Sequence, residues 1–285
     1  MKAFVFVNLN KKLSKEIFPE VLCRLAQNGV EVVLEEKMQG IYGESGCTYS
    51  DIAKEETDSD IIITIGGDGT ILRYGKLAAR LEKPLLGINT GRLGFMATLE
   101  SNELERLSLL TKKQYKISRR MMINAELVTK EGRRSFNALN DVVLFKSGAS
   151  KLPEYIVSNN KTEVSRIRAD GLIISTPTGS TAYSLSAGGP IIDPELECFE
   201  VTSLCPHTLF SRPMIFSAGA VITVRYKGYE NSSVYFTVDG GEGIELNESD
   251  CIELKKSELC LDLIDLGETS SFYSSIHNKL MRPLK

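Results

Sequence analysis

Nowhere in its 285 residues does the chain carry an apolar run near the roughly 18 residues that a membrane-crossing helix requires, so no membrane partner is expected. The opening Met1-Lys2-Ala3-Phe4 enters a strand pattern instead of a leader peptide, and the expected address is the cytoplasm. Histidine is scarce, with two copies, and the six cysteines (Cys23, Cys47, Cys198, Cys205, Cys251, Cys260) form no C-x-x-C pair. That scatter suits thiols in a reducing compartment. The nearest approach to a metal cluster, Cys198, Cys205 and His207, matches no zinc spacing, so no metal held by the protein alone is expected. Basic charge is not in excess. The 34 Lys and Arg against 37 Asp and Glu leave a net charge of −3, which argues against a nucleic-acid binder working by bulk electrostatics. Arg119-Arg120 and Arg133-Arg134 read as solvated faces. There is no low-complexity tract, and 42% hydrophobic with 25% charged residues describes a globular chain.

What the chain does have is Ile61-Ile62-Ile63-Thr64-Ile65 running into Gly66-Gly67-Asp68-Gly69-Thr70. This turn is neither the dinucleotide fingerprint G-x-G-x-x-G nor a P-loop, which would end in Gly-Lys-Ser/Thr. Glycines around one residue let backbone turn tightly and approach a ligand closely. A helix-like run from Thr70 to Arg80 would aim its first N–H groups at the turn, where they favour anions. A bare carboxylate beside phosphate would be repelled. Asp68 therefore either holds a metal ion or takes a proton from an attacking hydroxyl, and both roles point to phosphoryl transfer. Taken alone, the segment is equally compatible with a turn whose Asp caps the next helix.

The first hundred residues alternate strand and helix patterns. Ala3 to Asn8 is a short apolar run, Ser14 could cap a helix presenting Ile17, Phe18, Val21, Leu22 and Leu25, and Gly29 ends it. Strands follow at Val30 to Leu34, at Ile61 and at Leu85 to Ile88, a pattern of parallel sheet covered by helices. Ligands of such sheets bind at the carboxyl ends of the strands, where Asp68 falls. From about Tyr115 the runs Ile123 to Thr129, Ser135 to Phe145, Leu172 to Thr176, Val221 to Tyr226 and Val234 to Val238 read as antiparallel β. The expected fold is thus an α/β N-terminal domain with a Rossmann-like parallel sheet (1–105) plus a β-rich, mainly antiparallel C-terminal domain (106–267). A tail (268–285) with helical spacing at Phe272, Ile276 and Leu280 is expected to pack back on the body.

The richest polar segment lies in the β half: Arg168-Ala169-Asp170-Gly171, a strand, then Thr176-Pro177-Thr178-Gly179-Ser180-Thr181-Ala182-Tyr183-Ser184-Leu185-Ser186-Ala187-Gly188-Gly189-Pro190. Short hydroxyl side chains and exposed amides can bond a polar ligand, and Tyr183 offers an aromatic face for a base. A Ser/Thr-rich loop with helix caps is the plainer alternative.

These two segments, with Gly87-Ile88-Asn89-Thr90-Gly91-Arg92-Leu93-Gly94-Phe95 and Asn140-Asp141, resemble the NAD kinase family over nearly the whole chain and in the expected order. The glycine-aspartate turn is shared with diacylglycerol and sphingosine kinases and partly with phosphofructokinases. The Thr-Pro-Thr-Gly-Ser-Thr-Ala-Tyr run is the discriminating one. The resemblance implies transfer of the terminal phosphoryl of ATP, or of inorganic polyphosphate, to the 2′-hydroxyl of the adenosine ribose of NAD, giving NADP. It also implies Mg²⁺ or Mn²⁺ brought in with ATP, and assembly as a homodimer or homotetramer. By position, Asp68 would be the proton acceptor, while Gly66, Gly67, Gly69 and Thr70 would bind phosphate. Asn140 and Asp141 would contact the adenosine, and Asp170 the nicotinamide side. Thr181, Ala182, Tyr183, Ser184, Leu185 and Ser186 would cradle the adenine. Phe95 is a ligand-facing or an interior aromatic. Arg168 and Lys151 lie where some members place basic contacts, and for Lys151 a solvated loop is the alternative. The acidic member of the Asn140 pair is Asp where many relatives carry Glu, and Asp239-Gly240-Gly241 resembles a further family turn near the site.

Two other functions share parts of this pattern. A lipid kinase would use the same turn, but the chain has no basic amphipathic stretch to face a membrane. A non-catalytic NAD(P) sensor would gain little from a carboxylate aimed at phosphate.

Overall fold

The computed structural model describes residues 1–42, 46–51, 58–91, 94–148, 151–208, 210–228, 233–267 and 272–280. Arg92 and Leu93 of the asparagine-glycine motif, and 268–271 and 281–285 of the tail, lie outside them. Contacts divide the chain into two units, Met1–Arg119 with Leu261–Lys285, and Arg120–Cys260.

The first unit contains β1 (Lys2–Val7), α1 (Lys12–Gln27), β2 (Glu31–Glu35), α2 (Gln39–Tyr42), β3 (Thr48–Ser50), β4 (Ile61–Gly66), α3 (Asp68–Arg80), β5 (Leu85–Asn89), β6 (Leu99–Glu100) and α4 (Ser108–Thr111). Its strands form a parallel sheet in the order β5-β4-β1-β2-β3, with β6 beside β5. β4 is buried along its whole length, which explains why it reads as an uninterrupted apolar run and not as an alternating one. Phe18, Val21 and Leu25 of α1 are fully buried against this sheet's core, each contributing about 1.5–3 kcal/mol of burial as an upper estimate. Gly29, at φ +70°, closes α1 while the Val30 N–H reaches back to the Leu25 carbonyl (3.0 Å).

Two sequence expectations need correction here. Ser14 does not cap α1, because Lys11 occupies that position; Ser14 is buried inside the helix and its hydroxyl pairs with that of Thr90 (2.7 Å). The helix after the glycine turn begins at Asp68 and not at Thr70, because extended Gly67 already serves as its N-cap.

The sheet order places a topological switch between β1 and β4. From β1 the chain winds through α1 toward β2 and β3, and from β4 it winds through α3 toward β5 on the other side. In such sheets the crevice opens at the carboxyl ends of the two strands that flank the switch.

The second unit contains most of β7 (Lys116–Thr129), then β8 (Gly132–Ala138), β9 (Asp141–Lys146), β10 (Glu154–Asn159), β11 (Thr162–Arg168), β12 (Gly171–Ser175), α5 (Tyr183–Ser186), β13 (Cys198–Leu204), β14 (Met214–Ser217), β15 (Ile222–Lys227), β16 (Val234–Val238) and β17 (Ile244–Leu246). An antiparallel sheet runs β14-β13-β12-β9-β16-β17, and β11-β10-β15 form a second antiparallel set joined by the start of β18 (Cys251–Asp265). The apolar sides of these strands, including Val142, Leu144, Leu172, Ile174, Phe199 and Phe236, make one core. The run Ser135 to Phe145, read as continuous, is broken at Leu139-Asn140 into β8 and β9. β18 carries the chain back to the first unit, where Leu263 pairs in parallel with Leu85. The last helix, α6 (Phe272–Leu280), belongs to that unit, and the Phe272 ring lies 6.4 Å from that of Phe95.

Candidate functional site

In the first unit three loops meet at the carboxyl edge of the sheet. Register sets them together: Gly66 lies opposite Asn89, and the Asn8 N–H donates to the Ile65 carbonyl (2.9 Å). The Thr90 N–H donates to the Gly66 carbonyl (2.7 Å). Asn89, buried, donates to both Glu100 carboxylate oxygens (3.1 and 3.0 Å) and accepts from the Gly91 N–H (3.0 Å), fixing the turn after β5. Gly66 has to be glycine, since a Cβ there would stand 2.2 Å from Thr70 Oγ1.

Asp68 heads α3, half-buried. Its Oδ2 accepts from the Phe95 N–H (2.8 Å) and its Oδ1 from the Met96 N–H (3.3 Å). Gly94 permits that approach; a Cβ there would fall 2.2 Å from Oδ1. Two backbone donors aim the carboxylate, and each oxygen keeps lone-pair capacity for a further donor. Phe95 thus enters the site through its backbone, while its ring faces Phe272. Thr70 is buried and its N–H is already given to the Gly67 carbonyl (2.8 Å), whereas Gly69 is exposed. Beside this turn lies a cleft of about 410 Å³ lined by Asn8, Lys11, Lys37, Gly69, Thr70 and Arg73, among others. Sequence reasoning missed the cations of this cleft. A lysine in the turn at the end of β1, next to the switch, was the available signal.

In the second unit the Asn140-Asp141 corner sits between β8 and β9 and is held from two sides. Asp239, in the left-handed region at φ +51°, accepts from the N–H groups of Leu139 (3.0 Å), Asn140 (2.8 Å) and Asp141 (3.1 Å). From the other side, Thr176 accepts from the Gly179 N–H (3.0 Å) and donates to the Leu139 carbonyl (2.6 Å), while its own N–H donates to the Asn140 carbonyl (2.8 Å). Gly179 lies directly on Asn140, where a Cβ would meet the carbonyl oxygen at 2.1 Å. The Asn140 side-chain oxygen is buried with no hydrogen-bond partner among the described residues. An orphaned buried acceptor of this kind is rare and costly unless a ligand supplies the donor. Burial, and secondarily the charge of Asp239, pushes the Asp141 carboxyl up to about 7.

The hydroxyl-rich run divides. Ser184 is buried and donates to Glu200 Oε1 (2.6 Å), Thr202 donates to the same oxygen (2.8 Å) and Ser175 donates to Oε2 (3.1 Å), so three hydroxyls satisfy one buried carboxylate. Thr181 donates to the Thr178 carbonyl (3.2 Å). Tyr183 at 47% exposure and Ser186 present themselves outward from α5, Leu185 is half-buried, and Ala182 caps the helix. Asp170 lies beside Lys146 (3.5 Å), and its backbone carbonyl accepts from the Lys146 N–H (2.9 Å). Arg168 is exposed and lies 3.9 Å from Glu154, and Lys151 is exposed in the loop before β10. The structure therefore brings Asp68, Gly66, Gly67, Gly69, Thr70 and the Phe95 backbone together in one unit. It brings Asn140, Asp141 and the start of the hydroxyl run together in the other.

Residues 4–115 match the family model for the ATP-NAD kinase N-terminal domain, and 139–266 that for the ATP-NAD kinase C-terminal domain. The NAD kinase of Thermoanaerobacter sp. (strain X514) is 38% identical over 285 residues, covering 98% of each chain. The chain belongs to the NAD kinase family. The NAD kinase of Citrifermentans bemidjiense is 33% identical over 283 residues, again covering 98% of both. Among solved structures, a yeast NADH kinase complexed with NADH superposes with a TM-score of 0.86 at 22% identity, covering 99% of this chain and 87% of that one. An NAD kinase from Archaeoglobus fulgidus in complex with ATP gives a TM-score of 0.70 at 25% identity, covering 99% and 98%. Those likenesses bear out the expected α/β plus antiparallel-β fold, and family membership makes the chain a kinase acting on NAD. No helix among the described residues is long and apolar enough to cross a membrane.

Proposed function

We propose that the chain transfers the terminal phosphoryl of ATP, or of inorganic polyphosphate, to the 2′-hydroxyl of the adenosine ribose of NAD, releasing ADP (or the shortened polyphosphate) and NADP. One observation carries the chemistry: the Asp68 carboxylate, fixed by the Phe95 and Met96 amides at the end of β4. In the step, the 2′-oxygen forms a bond to the terminal phosphorus, the bond from that phosphorus to the bridging oxygen breaks, and the hydroxyl proton passes to Asp68. ATP binding in the A. fulgidus relative supports ATP as donor. Mg²⁺ or Mn²⁺ enters as part of the nucleotide substrate and screens its phosphates.

The second unit's part is to hold NAD. The unpaired Asn140 oxygen is suited to accept from the adenine amino group, Asp141 to accept from a ribose hydroxyl, and the Tyr183 ring to cover the base. Asp170 falls to the nicotinamide side by family position, and Arg168 and Lys151 lie where some family members place basic contacts. A homodimeric or homotetrameric cytoplasmic enzyme is part of the same proposal and rests on family resemblance. The test is purified protein with NAD, ATP and Mg²⁺, with NADP read by an NADP-specific dehydrogenase. NADP formation is the expected result. No NADP with either ATP or polyphosphate would overturn the proposal.

A further inference from the structure

Lys11 ends the turn after β1. Its N–H donates to the Asn8 carbonyl (3.1 Å), and its carbonyl accepts from the Lys15 N–H (3.3 Å) as α1 begins. The side chain has no part in that capping and is half-buried outside the apolar core. It runs to the carboxyl edge of β4 and β5, where its ammonium lies against two bare backbones. A Cβ built on Gly67 would stand 2.6 Å from Nζ, and one built on Gly91 2.8 Å from it. The charge therefore sits beside the residue that precedes Asp68, at the mouth of the switch crevice.

Neighbouring lysines behave differently. Lys12 reaches Glu16 (3.7 Å), and Lys37 of the same cleft pairs with Glu35 (2.8 Å). Among the described residues no carboxylate pairs with Lys11, and the cleft it shares with Arg73 has no acidic lining residue. The loop bearing it is tied to the glycine turn through Asn8, whose side-chain amide donates to Thr70 Oγ1 (3.4 Å). An unneutralised ammonium held on glycine backbone, in a basic cleft beside the proposed proton acceptor, has the chemistry of a grip for a multiply charged phosphate chain. Lysine is suited to that task as a compact point charge with three donors.

We propose that Lys11 is a donor-positioning residue: its ammonium holds the terminal phosphates of the phosphoryl donor between the Gly67 and Gly91 turns. This deepens the phosphoryl-transfer function proposed above and rests on it. Lys11 takes no part in the proton transfer to Asp68.

The experiment compares the unaltered protein with Lys11→Met, Lys11→Gln and, as a neighbouring control, Lys12→Met. The first readout is protection against thermal unfolding by inorganic tripolyphosphate, which needs no turnover. Tripolyphosphate is expected to raise the Tm of the unaltered and Lys12→Met proteins and to leave that of both Lys11 variants unmoved. The second readout is kinetic: kcat/KM for ATP should fall about a hundredfold in the Lys11 variants while KM for NAD holds. Lys11→Gln removes the charge but keeps a polar end in the cleft, so it serves if Lys11→Met loses its fold. Retention of both tripolyphosphate protection and kcat/KM for ATP would overturn the proposal. So would an equal rise in KM for NAD and for ATP, which a merely structural role would give. If the unaltered protein forms no NADP, the function proposed above fails, and the tripolyphosphate shift still decides whether Lys11 binds phosphate.

Discussion

The two units build their polar groups by opposite means. The first uses a strand-to-helix turn whose Asp68 carboxylate backbone amides have aimed, and leaves the cations Lys11 and Arg73 open in the cleft next to that turn. The second satisfies its acids from within, the half-buried Asp239 and the fully buried Glu200. Asp239 takes three backbone amides and Glu200 takes three hydroxyls, while the Asn140 side-chain oxygen stays buried with no hydrogen-bond partner among the described residues. A phosphate chain is recognised by mobile positive charge and a proton acceptor, whereas a nucleoside is recognised by fixed neutral hydrogen-bond geometry. Under the proposed function this contrast becomes a division of labour, with donor chemistry in the first unit and acceptor recognition in the second.

The largest expected effect breaks the first half alone. Asp68→Asn should lower kcat by about 10²–10⁴, the usual worth of a positioned general base, and steady-state turnover of NAD with saturating ATP measures it. Near-normal turnover would remove Asp68 from proton transfer.

Next in size is a lesion in the second half. Asn140→Ala takes away the buried acceptor, and KM for NAD should rise about tenfold while KM for ATP stays put. A rise in KM for ATP instead would dissolve the contrast.

Gly179→Ala sharpens the comparison through stability. Its methyl would stand 2.1 Å from the Asn140 carbonyl oxygen, which is backbone and cannot swing aside. Denaturant unfolding should show a loss of about 1–3 kcal/mol, with NAD affinity lowered more than ATP affinity.

The smallest effect is one of pH. Asp141 has a folded-state pKa raised to about 7 from an ordinary 3.8, so the folded protein binds the proton more tightly than the unfolded chain does. Its contribution to stability is therefore full below pH 3.8 and is lost as pH rises through about 7. If the carboxylate accepts from a ribose hydroxyl, NAD binding should strengthen over that same rise. Asp141→Asn should flatten both dependences, as thermal melts and NAD titrations between pH 6 and 8 would show.

Local features of both halves were legible in the sequence because they rest on local rules. The continuous apolar run predicted a fully buried β4, the glycines predicted the turn, and the Ser/Thr-rich run after β12 marked a polar turn. Helix α3 begins two residues earlier than predicted because Gly67 caps it through backbone geometry that its sequence signature does not carry. Partners distant along the chain were not legible. Asp239, which family resemblance alone put near the site, reaches the Asn140 corner from 99 residues away, Glu200 turns Ser184 inward across 16, and β18 returns to the first unit to pair with Leu85. Each depends on which strands become neighbours, and no periodicity or turn signal encodes that. Lys11 is the clearest instance: as sequence it is one lysine beside another, and only the order β4-β1-β2 sets it at the switch.

The most direct test of the division of labour is calorimetric titration of NAD into Asp68→Asn and Asn140→Ala side by side. The account predicts that Asp68→Asn binds NAD nearly as the unaltered protein does and that Asn140→Ala binds it about tenfold more weakly. Weak binding by Asp68→Asn together with unchanged binding by Asn140→Ala would contradict it.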